Sequence, residues 1–187
     1  MEKHTMYYDT IIKLTNAISQ CKDPEEVALN TAESVKTAFN AKGCSVFLVN
    51  RETRELGLVA SSGLSEEYLN KGPIHFMQTI REAKDAVPIA IYDVMDDPRI
   101  EYPEQAKKEG IASLLGVPVI SSNKIIGALR VYTAEPWEFS HHDINMAQAV
   151  ALICGMAMEM CRMYKGYKTS IEILKNMRDG DSYKSHK

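Results

Sequence analysis

The stretch "DVMDDPRIEYPEQAKKEG", residues 93–110, contains three carboxylates close together, at Asp93, Asp96 and Asp97. Grouped carboxylates are the ligands that hard metal ions prefer, and two carboxylates across a substrate can act as general acid and base. Calcium loops, however, place their acidic residues at alternate positions, and this stretch does not. Adjacency in sequence also does not place two carboxylates in the different environments that acid–base catalysis needs.

Local backbone roles account for the same residues. Asp93 follows an apolar segment and can accept hydrogen bonds from nearby backbone N–H groups, while Asp97 precedes a proline, as a cap or turn residue does. Tyr102 and Pro103 then begin a short helix that Gly110 ends. We therefore predict that the aspartates mainly shape the backbone at the rim of a pocket.

Other polar side chains in this region are candidates for ligand binding. The Arg99 guanidinium suits a carboxylate or a phosphate, and a solvated surface position fits it equally well. Tyr102 can reach across the same pocket mouth. His75 stands alone, and a single histidine without a visible partner more often makes an ordinary hydrogen bond than a metal bond.

The cysteine pattern argues against metal and redox chemistry. Cys21, Cys44, Cys154 and Cys161 form no C-x-x-C pair, which disfavours a zinc site or a redox dithiol. We expect each to be a small, buried apolar residue. The sequence also contains no Ser/His/Asp, Cys/His or phosphate-loop arrangement.

Composition narrows the class of protein further. The 187 residues carry a formal net charge of −3, so no broad basic field favours nucleic acid as a partner. No apolar run reaches the roughly 20 residues of a bilayer-spanning helix, and the start "MEKHTMYYDT" lacks a signal segment. We expect a cytoplasmic protein that contacts neither nucleic acid nor a membrane.

The periodicity of apolar residues indicates an α+β fold. Two amphipathic helices come first, followed by a hairpin around "NRET", a mixed segment, a second hairpin around "SSNK" and a long helix from Ser140 to about Met177. This order predicts a central antiparallel β-sheet with the N- and C-terminal helices layered on one face and pocket-forming segments on the other.

The long final helix has two apolar stripes, although a helix lying on a sheet needs only one. It is also longer than the strands beneath it, so its end must project beyond the sheet. We predict a homodimer that buries the second stripe together with the first helix, with a frayed or folded-back helix end as the alternative. The predicted dimer interface consists of Ile11, Ile18, Val150, Ala157, Met160, Tyr164, Tyr167, Ile171 and Leu174.

Four segments in this order resemble the GAF domain family: "DPEEVALNTAESVKTAFNAKGCSVFLVN", "ELGLVASSGLSEEYL", "AIYDVMDDPRIEYPEQAKKEGIASLLGVPV" and "KIIGALRVYTAEPWEFSHHDINMAQAVA". The resemblance covers residues 5–165. It implies a small-molecule pocket between the sheet and the segments "GPIHFMQTIREA" and "DVMDDPRIEYPEQAKKEG". Members of the family bind cyclic nucleotides, linear tetrapyrroles, haem, amino acids or ions, and often regulate an attached enzyme or transcription factor.

Departures from the sequence patterns of the family narrow the choice of ligand class. The asparagine-lysine-phenylalanine signature of cyclic-nucleotide binding is absent, and no cysteine matches the one that attaches a bilin. The free methionine sulfoxide reductases, which are single GAF domains, use cysteines in the pocket wall, whereas residues 71–112 contain none. His75 stands where a haem-binding relative would supply an axial ligand. The cofactor therefore stays unknown.

These observations favour a non-catalytic sensor that binds an unidentified small molecule and signals through its terminal helices, to its own dimer or to a separate signalling protein. The alternative is a ligand-free dimerisation or adaptor module, and a small enzyme ranks third. We predict a sensor domain over residues 1–165 with its first helix at 5–21, a helical extension over 166–178 and a disordered tail over 179–187. The predicted ligand-binding residues are His75, Phe76, Ile80, Tyr92, Asp93, Asp97, Arg99, Tyr102 and Ser113.

Overall fold

The computed structural model describes residues 2–20, 23–50, 52–53, 55–75 and 87–182. Its helices are α1 (Glu2–Gln20), α2 (Pro24–Phe39), α3 (Glu66–Leu69), α4 (Pro103–Glu109) and α5 (His141–Ser182). Its strands are β1 (Gly43–Val49), β2 (Glu55–Ser62), β3 (Ile74–His75), β4 (Ile89–Ile91), β5 (Ser113–Ser121) and β6 (Lys124–Thr133). The predicted α+β class is confirmed.

The strands of the described residues form one antiparallel sheet in the order β3-β2-β1-β6-β5-β4. Both predicted hairpins are present, β1–β2 and β5–β6, and the two pair with each other through β1 and β6. The second hairpin turns at Ser122 and Asn123, whose positive φ angles of 49° and 58° suit a tight connection. The hairpins thus form the centre of the sheet.

Alternation along the central strands separates the two faces of the sheet. On β6, Leu129 and Val131 belong to the main core under α1, α2 and α5. Ala128 and Tyr132, the alternate residues, pack in smaller clusters on the other face. This two-residue period places the helices on one face and the 89–114 region on the other, as predicted.

Local capping fixes where the helices begin. Asp23 accepts a hydrogen bond from the Glu25 backbone N–H at 3.1 Å and precedes α2. Ser140 and Asp143 exchange side-chain to backbone hydrogen bonds at the start of α5, which is a capping box. Gly110 closes α4 in the left-handed conformation, with φ of 75°. The start of the long helix at Ser140 and the end of the short helix at Gly110 match the sequence expectation.

Helix α5 extends well past the sheet. Cys161 is buried, and every residue from 162 to 177 is exposed. The exposed part is about 24 Å long at roughly 1.5 Å per residue. The helix continues to Ser182, so residues 179–182 prolong it, which corrects the predicted start of the tail; residues 183–187 lie outside the described part.

One predicted interface residue requires correction. Val150 is fully buried in the main core of its own domain, together with Met146 and Ala147. The second stripe of α5 therefore faces α1 and α2 over its first turns and becomes available to a partner only further along.

By length and composition alone, α5 would pass as a membrane-spanning helix between His141 and Met177. However, 44% of its most apolar window is buried inside the domain. Core packing against β5 thus accounts for much of its apolar character.

Candidate functional site

A small cavity lies on the face of the sheet opposite the terminal helices. Its volume is about 20 Å³, room for about one water molecule. Strands β4, β5 and β6 supply Ile89, Ile91, Leu114 and Arg130 to its wall. The other described residues of the lining come from α3, the connection that follows it and the segment before α4; they are Tyr68, Lys71, Arg99, Ile100, Glu101 and Tyr102.

Among the described residues, Arg130 is the most deeply buried charge in this cavity wall, with 8% of its surface exposed. Its position on β6 alternates with Leu129 and Val131, so the side chain points away from the helices. The guanidinium carbon lies 5.6 Å from the centre of the Phe47 ring on the neighbouring strand β1. A cation over an aromatic face is electrostatically favourable, and more so where water is excluded.

Lys71 brings a second positive charge to the same cavity. Its Nζ lies 3.7 Å above the Tyr68 ring and donates a hydrogen bond to the Tyr68 carbonyl at 3.0 Å. Burial, and then the positive charge of Arg130, lower the pKa of Lys71 to about 8, although Glu101 and Glu109 act in the opposite direction. Two like charges therefore share a poorly solvated site.

Tyr68, which lines the cavity, packs against a second tyrosine, Tyr132 on β6, which is outside the cavity wall. The Tyr68 ring meets the Tyr132 ring edge to face, with centroids 5.9 Å apart and an angle of 86°. Burial raises the pKa of both phenols. Both tyrosines therefore stay neutral near pH 7 and contribute polar atoms and packing rather than charge.

The acidic stretch mainly shapes the backbone, in line with the local roles that its residue types suggest. Asp93 accepts a hydrogen bond from the Met95 backbone N–H at 2.8 Å. Asp97 accepts hydrogen bonds from the Arg99 backbone N–H at 2.9 Å and from the Arg99 Nε at 2.8 Å, and a second Arg99 nitrogen completes the ion pair. Hydrogen bonding to Arg99 lowers the pKa of Asp97. The charge of Arg99 is thus already balanced.

The predicted ligand-binding residues fall into several groups. Arg99 and Tyr102 line the cavity, and the Tyr102 hydroxyl also donates a hydrogen bond to the Pro73 carbonyl at 2.8 Å. Tyr92 is 61% exposed and is not among the cavity-lining residues. Ser113 is also outside the cavity wall, because its hydroxyl donates to the Tyr92 carbonyl and accepts from the Trp137 backbone N–H.

Three predicted residues are only partly described or not described at all. His75 pairs through its backbone with Glu55 at the edge of the sheet. Phe76 and Ile80 lie outside the described residues. Their predicted contacts with a ligand remain predictions.

Sequence reasoning missed Tyr68, Lys71 and Arg130. Arg130 had a usable signal, because a charged residue inside the apolar strand "IIGALRVYT" must face an environment that tolerates charge. Lys71 lies in a short connection after α3, and nothing in its local sequence points toward the sheet.

The described cysteines do not have the surroundings of reactive thiols. Cys44, Cys154 and Cys161 are buried, and burial raises the pKa of Cys154 to about 11. Reactive cysteines need the thiolate form and access to solvent. Among the described residues, no group of three or more His, Cys, Asp or Glu side chains is arranged to hold a metal ion.

A second concave surface lies between α1 and α5, on the helical side of the domain. This cleft has a volume of about 600 Å³. Its walls are mostly apolar, and it is lined by Thr15, Ile18, Ser19, Ile153, Met156, Ala157, Met160, Cys161 and Tyr164. Ile18, Ala157, Met160 and Tyr164 were predicted to contact a partner subunit, and the cleft brings these four side chains together.

Comparison with known proteins identifies the family. The GAF domain family matches residues 23–158. A domain assigned to a two-component sensor histidine kinase protein from Sinorhizobium meliloti 1021 is 26% identical, with a TM-score of 0.65 over 77% of this chain and 96% of that one. Comparison with curated protein sequences gave no match.

Two more distant structures share the fold. The GAF domain of a phosphoenolpyruvate-protein phosphotransferase from Coxiella burnetii is 19% identical, with a TM-score of 0.73 over 87% of this chain and 98% of that one. The free methionine-R-sulfoxide reductase from Neisseria meningitidis, solved with its substrate, is 21% identical, with a TM-score of 0.71 over 84% and 91%.

The architecture and the matched residues define a domain of the kind found in signalling and sensing proteins. The chain belongs to the GAF domain family. The resemblance drawn from the sequence is therefore confirmed.

Proposed function

We propose that this chain is a non-catalytic sensory domain that binds a small molecule in the cavity between the sheet and the 89–102 segment and transmits its state through α1 and α5 of a homodimer. A single observation carries the proposal: strands β5 and β6 serve both sites. Leu114 and Arg130 line the cavity, while the alternate residues Leu115, Val117 and Leu129 pack into the helical core.

This shared sheet supplies a physical route between the two sites. Helix α5 makes its most extensive strand contacts with β5. Any shift of β5 that accompanies binding must therefore be accommodated by α5 or by the packing between them. Two arrangements of nearly equal free energy are needed for a signal, and a ligand that prefers one of them shifts the population.

The exposed part of α5 fits a second copy of the chain. Its apolar residues alternate at spacings of three and four, which is the pattern of a two-stranded coiled coil. They continue directly from the cleft between α1 and α5, whose wall includes the buried Ala157, and they are Met160, Tyr164, Tyr167, Ile171 and Leu174. A two-fold dimer in which the two α5 helices run side by side would bury this stripe and leave no open edge for further copies.

A double substitution tests the dimer. Ile171→Glu with Leu174→Glu places two carboxylates in a stripe where both residues are more than half exposed in the isolated chain. We expect native mass spectrometry and light scattering to show a dimer for the natural chain and a monomer for this variant. The matched control is Thr169→Glu with Ile173→Glu, which lies about 200° away around the helix and should stay dimeric.

The residues of the cavity support a binding role rather than a catalytic one. The buried cysteines are not in the cavity wall. The Asp97 carboxylate, which pairs with Arg99, also accepts a hydrogen bond from the Arg99 backbone N–H and so holds the local turn. What the cavity offers is a fixed set of charged, aromatic and aliphatic groups. Such a set can recognise a ligand without changing it.

One observation favours the alternative of a ligand-free adaptor: the cavity volume of only about 20 Å³. Native mass spectrometry of protein purified from its own host separates the two functions. A stoichiometric adduct, or a small molecule recovered from the denatured protein that raises its thermal stability, supports the sensor. If the measured mass is that of the protein alone, and no compound of a metabolite panel changes its thermal stability, the adaptor is supported. The proposed dimer is the same in both functions.

A further inference from the structure

Three exposed methionines lie side by side on α5, at the cleft between α1 and α5. Met156 and Met160 line the cleft, and Met163 follows one turn further along the helix. At roughly 100° per residue, the three side chains leave the helix within about 60° of one another. Each is more than half exposed. Three thioether sulfurs therefore share one patch of surface that is open to solvent.

The surroundings of these sulfurs offer few hydrogen-bond donors. Among the described residues that line the cleft, none is a lysine, arginine, histidine, aspartate or glutamate. Thr15 and Ser19 of α1 have hydroxyls, but these already donate to the backbone carbonyls of Ile11 and Asn16, at 2.9 Å and 2.7 Å. A thioether needs no hydrogen-bond partner, and its flexible chain adapts to a facing surface. The patch thus suits a dry contact.

Other methionines of the described chain have different surroundings. Met146 and Met158 are buried in the main core, and the Met158 sulfur lies 3.7 Å from the Cys154 sulfur. Met95 is exposed in the turn after β4 and is not among the residues that line the cleft. Oxidation of a methionine follows its access to solvent. The buried pair and Met95 are therefore internal references for the reactivity of the patch.

We propose that Met156, Met160 and Met163 form an oxidant-sensitive site that controls the association of two copies of the chain. The inference rests on the proposed function, since it concerns the same dimer, and it names a peroxide as the chemical class of the regulator. The thioether sulfur attacks one oxygen of hydrogen peroxide, so that an S–O bond forms while the O–O bond breaks. The released hydroxide takes the proton of the new S–OH group and leaves as water. The sulfur is thereby oxidised by two electrons to the sulfoxide, and the peroxide is reduced.

Each sulfoxide opposes the dimer because its oxygen is a strong hydrogen-bond acceptor. In the monomer that oxygen is hydrated, since the patch is exposed. In the proposed contact it would lose its water and meet apolar side chains and hydroxyls that already donate elsewhere. Burying an unpaired polar group costs free energy at every such position. Together, the three sulfoxides should raise the dissociation constant of the dimer by roughly tenfold or more.

Oxidation and association compete, because only the monomer leaves the patch fully open. The oxidation of Met160, which belongs to the contact itself, should slow about fourfold when the protein concentration rises from about a tenth of the dissociation constant to about ten times that constant. The reason is mass action, since the fraction of monomer falls from about 85% to about 20%. Met95 should react at the same rate at both concentrations. Brief treatment with excess hydrogen peroxide, quenched with catalase and followed by peptide mapping in a mass spectrometer, measures both rates.

A triple variant, Met156→Leu with Met160→Leu and Met163→Leu, keeps an apolar stripe that contains no sulfur. After full treatment, sedimentation velocity should show a dissociation constant raised roughly tenfold or more for the natural chain. That of the triple variant should stay at its own untreated value. The matched control is Met95→Leu with Met177→Leu, which removes two exposed sulfurs outside the cleft lining and should respond as the natural chain does. Circular dichroism checks that each treated sample is still folded.

Reduction of the treated natural chain with a methionine sulfoxide reductase should restore its dissociation constant. An unchanged dissociation constant in a chain that carries all three sulfoxides would overturn the assignment and leave the proposed dimer standing. An equal loss of dimer in the treated triple variant, or unfolding of the treated natural chain, would overturn it as well, because the effect would then come from other residues. A natural chain that is monomeric at every concentration before treatment would show that the proposed dimer is wrong, and this assignment with it.

Discussion

The Tyr7 hydroxyl of α1 donates a hydrogen bond to Asp143 at the start of α5, with 2.5 Å between the two oxygens. Both side chains are buried, and the Asp143 carboxylate also accepts from the backbone and hydroxyl of Ser140. Burial, followed by this hydrogen bond, raises the pKa of Tyr7. One carboxylate thus caps α5 and holds α1 against it.

Tyr7→Phe should therefore loosen α1. We expect a loss of about 1–2 kcal/mol in the free energy of unfolding, because a charge-assisted hydrogen bond is removed while the ring and its stacking on Phe39 are kept. Urea denaturation measures the change. Tyr8→Phe, at the next and exposed position, is the control and should stay within about 0.5 kcal/mol of the natural chain. Equal losses in both variants would refute a special role for Asp143.

Gly155 lets α5 lie directly on β5. A Cβ added there would stand 2.3 Å from the Ile120 carbonyl oxygen, which is backbone and cannot rotate away. Gly155→Ala should cost about 1–3 kcal/mol by forcing the helix off the sheet. Gly166→Ala on the same helix meets nothing within 4 Å and should instead stabilise the chain by about 0.5–1 kcal/mol. Thermal denaturation of the two variants measures whether each substitution lowers or raises stability. A Gly155→Ala variant more stable than the natural chain would contradict the close packing of α5 on β5.

Much of this arrangement follows from local sequence signals. The capping box at Ser140, the proline after Asp23 and the two-residue alternation of β1 and β6 each act on neighbouring residues, so they are visible without the fold. The long spacing pattern of α5 likewise predicted that its end would project beyond the sheet.

The residues that line the cavity could be predicted from the sequence only in part. Tyr68 on α3 and Tyr132 on β6 are far apart in sequence, and their rings meet only in the folded chain. Ser113 looked like a pocket residue because of its place in the chain, yet its hydroxyl is used to join Tyr92 to Trp137. Which face a strand residue occupies depends on register, and register is set by partners distant in sequence.

Lys71 gives a testable dependence of stability on pH. Its pKa is about 8 in the folded chain and near 10.5 when unfolded, so the unfolded state binds more protons between these values. The free energy of unfolding should therefore rise with pH across this window, by on the order of 1–2 kcal/mol after allowing for partial exposure of the side chain.

The pH dependence of stability must be compared between the natural chain and Lys71→Met, because the buried cysteines make stability change with pH in the opposite direction. Burial raises the pKa of Cys154 to about 11, so its thiol makes stability fall as the unfolded thiol ionises at lower pH. The difference between the natural chain and Lys71→Met removes that contribution. Chemical denaturation between pH 7.5 and 9.5 should show this difference growing in favour of the natural chain, and a constant difference would show that Lys71 is not buried beside Arg130.

Met158 and Met160 lie two residues apart on α5, and substitutions at these positions test folding and association separately. Met158 is fully buried beside Cys154, whereas Met160 is 71% exposed and lines the cleft between α1 and α5. Met158→Glu should cost several kcal/mol, about 3–5, because it places a carboxylate in the core without a partner. Met160→Glu should leave the stability of the monomer within about 0.5 kcal/mol.

Substitution of Met160 should weaken the dimer, although it should hardly change the stability of the monomer. Met160→Glu puts like charges from two copies into the proposed contact, and we expect its dissociation constant to rise at least tenfold in sedimentation velocity. Met160→Gln, which is similar in size and uncharged, should lose much less. An unchanged dissociation constant in Met160→Glu would show that the stripe of α5 associates elsewhere or not at all, because a charge buried between two copies cannot be accommodated without cost.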